Sequence, residues 1–323
     1  MSSHHINPHS LLAPSVRLLI ERITRAGRPP MEALTAQQAR AFYDMGGPML
    51  DLQPPPKVDR VQDIRVPVRD GHTCQARLYA PHSDTALPVL LYFHGGGFTV
   101  GSLITHDVLC RQLSRHGHCA VVSLDYRLAP EHRFPTAQHD AWDALLWLKA
   151  QGAELGLDTR RIAVGGDSAG GTLAAVCALM ARDAGISLAL QLLFYPGCTG
   201  RSNLTSHHTF GKGFLLDTST IEWFFDHYID EANRDDWRFA PINAPDHSGV
   251  APAWLGLAEC DPLVDGGMAY ADTLRMAGVP VDLEIYRGMI HGFATMGRAL
   301  PDALRLHADA GRALKHAFEN WTS

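Results

Sequence analysis

The stretch at residues 161–177, RIAVGGDSAGGTLAAVC, constrains what this chain can fold into more than any other. Ile162 to Val164 is a short apolar run that reads as a buried strand, and the small and aliphatic residues from Ala169 to Ala181 read as the helix that follows. Between them Ser168 stands in the pattern G-x-S-x-G, flanked by Gly166 and Gly170. A serine on so sharp a turn takes a strained backbone conformation, and its neighbours must be small for strand and helix to pass closely. Gly166, Ala169, Gly170 and Gly171 meet that demand. The turn lifts the hydroxyl clear of the sheet and sets the Ala169 amide at a helix start, where negative charge is favoured. A lone G-x-S-x-G is often only a flexible turn; the strand before it and the helix after it favour the first reading.

The rest of the chain supplies the sheet that such a turn needs. Runs at 63–68 and 74–79 alternate in polarity and are joined by Asp70-Gly71, a hairpin signal. Strand patterns follow at 89–93, 120–124, 162–164, 190–194, 254–257 and 281–285, and helical patterns at 103–116, 135–151, 169–181, 265–277 and 301–318. An antiparallel opening followed by alternating strand and helix predicts an α/β fold, a mostly parallel eight-stranded sheet with helices on both faces. Two further helices, over 11–27 and 35–45, precede every strand, and the Pro54 to Pro56 run marks a linker after them. Residues 197–240 interrupt the alternation with a polar loop and an aromatic helix at 221–229. That division predicts an N-terminal helical segment over 1–52 and an α/β domain over 53–323, with an insertion near 197–240 that packs with the first segment above the sheet as an appended cap; the front segment alone reads as a lid over a pocket, a docking arm for another subunit or mere packing. Trp223, Phe224 and Phe42 hint at an apolar pocket in that cap, although aromatic residues on a helix more often form core.

Composition narrows the class. With 28 Lys and Arg against 34 Asp and Glu, the net charge is −6 and no basic cluster is present to neutralise phosphates, so nucleic acid is not an expected partner. The six cysteines are scattered without a C-x-x-C pair and read as reduced core residues. The first residues, MSSHHINPHS, show no basic start followed by an apolar segment, and no run is long enough to span a membrane. A cytoplasmic chain with no stable membrane insertion is the expectation. His207 and His208 are adjacent but lack companion ligand spacing, so no metal and no cofactor are assigned.

Three other segments carry chemistry. The strand at 89–93 runs into His94-Gly95-Gly96-Gly97-Phe98, and three successive glycines are costly in conformational entropy unless their amides line a cavity. A phosphate loop is the alternative, but G-x-G-x-x-G and the P-loop lysine are missing. Asp261 follows the strand at 254–257; Asp265, close behind, reads as a cap for the next helix. His291 follows the last strand. With 18 histidines in the chain, any single one is more often structural, but Ser, Asp and His each stand just past a strand, in the chain order of α/β-hydrolases.

HGGGF at 94–98, DYRLAPE at 125–131, GDSAGG at 166–171, DPL at 261–263 and HGF at 291–293 together resemble the hormone-sensitive-lipase-like (bacterial family IV) carboxylesterases of the α/β-hydrolase fold, in the GDSAG subgroup. The resemblance implies a catalytic triad of Ser168, Asp261 and His291, and an oxyanion hole from the amides of Gly96, Gly97 and Ala169. It implies a serine hydrolase acting on a small-molecule ester, with short to medium acyl chains, through an acyl-enzyme. It also implies a cap built from the front helices and the insertion, and raises a homodimer through the last strand, where Asp282 and Glu284 alternate outward. Gly266 departs from the family, whose members often carry Glu there. Amidase, arylformamidase or peptidase chemistry on the same fold remains the alternative, as does a non-catalytic small-molecule binding protein. In DYRLAPE, Tyr126, Arg127 and Glu131 read as loop ties rather than substrate contacts, and His94 as an anchor for its glycines.

Overall fold

A computed structural model describes residues 7–321. The opening stretch MSSHHINPHS, on which the signal expectation rests, lies partly outside that range. Eight strands, β1 (Arg60–Pro67), β2 (Thr73–Ala80), β3 (Leu87–Phe93), β4 (Ala120–Asp125), β5 (Leu157–Asp167), β6 (Gln191–Phe194), β7 (Ala253–Cys260) and β8 (Val281–Ile290), form one sheet. Their order is β1-β2-β4-β3-β5-β6-β7-β8. The β1/β2 and β2/β4 pairs are antiparallel and every other pair is parallel. The Asp70-Gly71 hairpin therefore opens the sheet as its sequence predicts, with Gly71 at φ 83°.

Strand alternation divides the interior in two. From β3, Val89, Leu91 and Phe93 face one core, while Leu90 and Tyr92 face the other. The first core is closed by α4 (Thr136–Gln151), α5 (Ala169–Asp183) and α8 (Val264–Met276). The second is closed by α3 (Asp107–Gly117) and α9 (Pro301–Glu319), with Val16 and Leu19 of the first α-helix, α1 (Pro14–Arg25), and Leu12 just before it added beside them. Central strands buried on both faces are nearly continuous apolar runs, which is why their register needs no polar alternation.

The front segment splits. Whereas α1 packs beside α9 and β8, α2 (Ala36–Leu50) reaches the insertion through a small cluster of Ala39, Val100 and Phe224, with Met31, Leu34, Tyr43 and Trp223 around it. Tyr43, rather than Phe42, is the α2 aromatic residue in that cluster. Glu32 accepts hydrogen bonds from Ser219 Oγ at 2.7 Å and Thr220 Oγ1 at 3.1 Å, which ties the segment to the start of α7 (Thr218–Tyr228). The insertion also contains α6 (Thr205–Phe210), a short helix where the sequence reads as loop. Among the described residues, no helix is long and apolar enough to cross a membrane.

Candidate active site

Ser168 follows β5 directly and adopts φ 53°, ψ −120°, a strained conformation for a residue with a side chain. Its N–H donates to Phe194 O at 2.9 Å and its carbonyl accepts the first helical bond from Thr172 N at 3.0 Å. The glycines around it are required by contact rather than by composition. A Cβ on Gly166 would lie 2.4 Å from Gly170 backbone, and one on Gly170 would lie 1.9 Å from Phe93 O. Strand and helix approach as closely as the sequence demands.

Asp261 follows β7 and is fully buried; His291 follows β8 and is nearly so. Asp261 Oδ1 accepts from Leu263 N at 2.8 Å, which fixes the carboxylate, and Oδ2 lies 2.7 Å from His291 Nδ1. His291 Nε2 lies 2.8 Å from Ser168 Oγ. Because an ionised carboxylate only accepts, Nδ1 carries the proton toward Asp261 and Nε2 is left to accept from the serine hydroxyl. What brings His291 back over the sheet is a break in the β7/β8 register between Ala258 and Cys260. Opposite that break Gly288 turns through φ 69°, and its N–H donates to the Glu259 carboxylate at 2.7 Å.

The glycine loop stands beside the serine. Gly96 has φ 122° and Gly97 φ 56°, and a Cβ on Gly96 would meet Val100 O at 2.1 Å. His94 Nδ1 bonds the Gly95 carbonyl at 2.8 Å, its ring stacks on Tyr126 at 4.4 Å, and Tyr126 hydroxyl donates to His94 O at 2.8 Å. Burial, followed by the neighbouring His106, drives the His94 pKa down to about 4, so it anchors the loop as a neutral ring. The insertion presses on the same loop. A Cβ on Gly97 would fall 2.2 Å from the Phe224 ring, and Phe98 stacks on Tyr228 with centroids 4.1 Å apart. From α2, Arg40 Nε donates to Thr99 O at 2.8 Å and its guanidinium pairs with Glu131.

Sequence reasoning passed over Asp167, although it stands inside GDSAGG. It is 3 % exposed, and its Oδ1 accepts from Tyr92 hydroxyl at 2.8 Å and Gly95 N at 2.9 Å, while Oδ2 lies 3.2 Å from His106 Nε2. One carboxylate thus joins the residue before Ser168 to the start of the glycine loop. Burial alone would raise its pKa, but His106 and the Tyr92 hydroxyl hold it below the ordinary carboxylate value. The available signal was an acid in an otherwise small and apolar turn, which needs buried partners. Asp265 has a different task from the one its position suggests. Its Oδ2 accepts from Ser206 N at 2.8 Å, so it caps α6 of the insertion rather than its own helix. Arg127 pairs with Asp140 on α4 and with Asp70 in the β1–β2 turn, a structural tie of its loop to a helix and a hairpin.

A hydroxyl bonded to a neutral imidazole, itself oriented by a buried carboxylate, can be deprotonated as it attacks a carbonyl carbon. Amides from a left-handed glycine turn and a helix start can hold the resulting oxyanion. Comparison with known proteins leads to the same chemistry. A sequence profile described as the alpha/beta hydrolase fold matches residues 90–295. The chain is 41% identical over 292 residues to an ethyl acetate hydrolase of Pseudomonas putida, covering 88% of this chain and 92% of that one. It is 40% identical over 278 residues to the carboxylesterase NlhH of Mycobacterium tuberculosis, covering 83% and 86%. Among solved structures, an α/β hydrolase enzyme from the metagenome of Lake Arreo, Spain, superposes with a TM-score of 0.92 at 36% identity, covering 96% of this chain and 100% of that one. An esterase of Pyrobaculum calidifontis does so with 0.87 at 35%, covering 94% and 98%. The chain belongs to the α/β-hydrolase fold family, in its hormone-sensitive-lipase-like branch of carboxylic ester hydrolases.

Proposed function

We propose that this chain is a serine carboxylesterase in which Ser168 is the nucleophile, His291 the general base and then acid, and Asp261 the group that fixes the imidazole. The observation that carries these roles is the imidazole bridging the other two side chains at 2.8 and 2.7 Å. Ser168 Oγ attacks the ester carbonyl as its proton passes to His291 Nε2. The tetrahedral oxyanion is held by the amides of Gly96, Gly97 and Ala169, each worth about 3 kcal/mol. His291 returns the proton to the departing alcohol, and water then repeats the sequence on the acyl-enzyme. Ser168→Ala tests this directly: turnover of p-nitrophenyl esters should vanish while the fold persists, and retained turnover would remove the assignment.

Short to medium acyl esters are the proposed substrates, with residues 1–52 and about 197–240 as the cap that bounds them. The Phe224 ring seated on Gly97 supports this, because bulk at that point lies beside the proposed oxyanion donors. A panel of p-nitrophenyl esters of increasing chain length, run beside matched amides, tests both the acyl limit and the amidase alternative. A cytoplasmic location fits six cysteines that are all free and buried. A homodimer through β8 fits its place at the sheet edge, where Ile285 is 37% exposed, and light scattering tests it.

A further inference from the structure

Four adjacent parallel strands, β5, β6, β7 and β8, end at one rim of the sheet, and the residue directly after each is Ser168, Tyr195, Asp261 and His291 in turn. Three of these form the proposed triad. Tyr195 occupies the corresponding place on β6, between the strand that delivers the nucleophile and the strand that delivers the acid.

Its backbone is strained: φ is 34°, a left-handed value that a bulky residue adopts only when its surroundings impose it. Its N–H donates to Gly256 O of β7 at 2.8 Å, which holds the backbone there. The side chain is 1 % exposed. Its ring lies 4.8 Å from the His291 imidazole at 58°, and its hydroxyl oxygen accepts from Ala294 N at 3.3 Å, three residues beyond the histidine. Tyr195 therefore touches the imidazole with its ring and holds the turn that carries it with its hydroxyl.

We infer that Tyr195 is a positioning residue for His291, holding the imidazole between Ser168 and Asp261 while it accepts and returns the proton. Loss of the ring frees the imidazole to rotate off the Ser168 Oγ direction. The ring also lies within cation–π range of about 6 Å, so it faces the imidazolium as it forms. Both effects act after substrate is bound, so they enter kcat and leave KM nearly unchanged.

This inference rests on the serine-esterase reading, and the experiment separates the two. Ser168→Ala, Tyr195→Phe and Tyr195→Leu are compared with the unaltered chain for kcat and KM on p-nitrophenyl butyrate, thermal melting, and the rate of labelling by an ester-like phosphonate. Tyr195→Leu should lower kcat and the labelling rate about 30-fold or more with KM within about twofold. Tyr195→Phe keeps the ring and should recover most of that loss, with a deficit of only a few-fold from the missing hydroxyl. A Tyr195→Leu protein that melts cooperatively and keeps kcat and labelling within twofold of the original would overturn the inference. So would a Tyr195→Phe protein no better than Tyr195→Leu but equally stable, which would shift the effect from the ring to the hydroxyl alone. Activity surviving in Ser168→Ala would instead bring down the esterase reading itself.

Discussion

Replacing Asp167 by Asn changes one charge and almost no volume, so its consequences can be worked from the contacts. The carboxylate receives donors at 2.8, 2.9 and 3.2 Å from Tyr92, Gly95 and His106. A hydrogen bond to a charged acceptor is worth about 1 kcal/mol more than a neutral one, so three such bonds put the loss near 3 kcal/mol at most. Burial works the other way, since a neutral amide is easier to desolvate. The carboxyl is nevertheless held below its ordinary pKa, so the favourable contacts exceed that penalty. A lowered folded pKa contributes stability that is complete above the unfolded value of about 3.9 and is lost as pH falls through the folded value. At neutral pH the whole contribution is present, and Asp167→Asn should lower the unfolding free energy by about 2–3 kcal/mol. The functional effect follows from Gly95, whose amide is one of the three donors and precedes Gly96 and Gly97. If that loop relaxes, oxyanion stabilisation weakens, and kcat should fall about 10- to 100-fold with little change in KM. Guanidinium unfolding and ester kinetics on the same preparation measure both. An Asn variant with the original midpoint and original kcat would refute the reasoning.

Three further outcomes are expected. Asp261→Asn should lower kcat by about 10⁴-fold through loss of the oriented imidazole, whereas Asp265→Asn, which weakens only the Ser206 tie of α6, should cost a few-fold; equal losses would contradict the assignment of roles. His94 and His307 are buried and their pKa values are pushed down by burial to about 4, below the unfolded value near 6.5. The unfolded chain therefore binds these protons first as pH falls, and stability should drop between about pH 6.5 and 4 by up to about 3 kcal/mol for each ring. Asp125, raised to about 6 by burial and by Asp44, offsets part of this, and urea unfolding across that range gives the slope. Gly266→Ala should stabilise α8 by up to about 1 kcal/mol, because its Cβ would meet Thr199 at an ordinary 3.4 Å; Gly267→Ala should destabilise, because its Cβ would sit 2.7 Å from Leu257. Their melting temperatures should move in opposite directions.

The sequence is most legible where local chemistry and tertiary structure agree. The elbow is readable because Gly166 and Gly170 admit no side chain, and the Asp70-Gly71 hairpin because one turn fixes its register. Legibility fails where distant contacts decide. The sequence ends the second helix near Met45, before Gly46, Gly47 and Pro48, yet α2 continues to Leu50. Its last carbonyls are captured by Arg298, whose N–H donates to Leu50 O at 3.1 Å and whose guanidinium reaches Met49 O, and this outweighs the local breakers. In α3 the reverse occurs. The expected start at Leu103 is delayed to Asp107 because Thr105 Oγ1 bonds Ser102 O at 2.9 Å and accepts from Ser102 N at 3.0 Å, a side-chain turn that competes with helix. The last strand runs to Ile290, past the expected Ile285, since its continuation depends on pairing Ile290 with Cys260 across the register break. For the site, the three residues of the proposed triad are visible from motif and order. Asp167 and Tyr195 are not, since nothing local to either says what it will touch.

The account turns on whether Ser168 becomes covalently acylated. Rapid quenching of the protein with p-nitrophenyl butyrate, followed by mass spectrometry of its peptides, should find one butyryl group, on the peptide containing Ser168, formed as fast as nitrophenol first appears. Acylation at another residue, or steady hydrolysis with no acylated species in a protein whose deacylation step has been slowed, would contradict it.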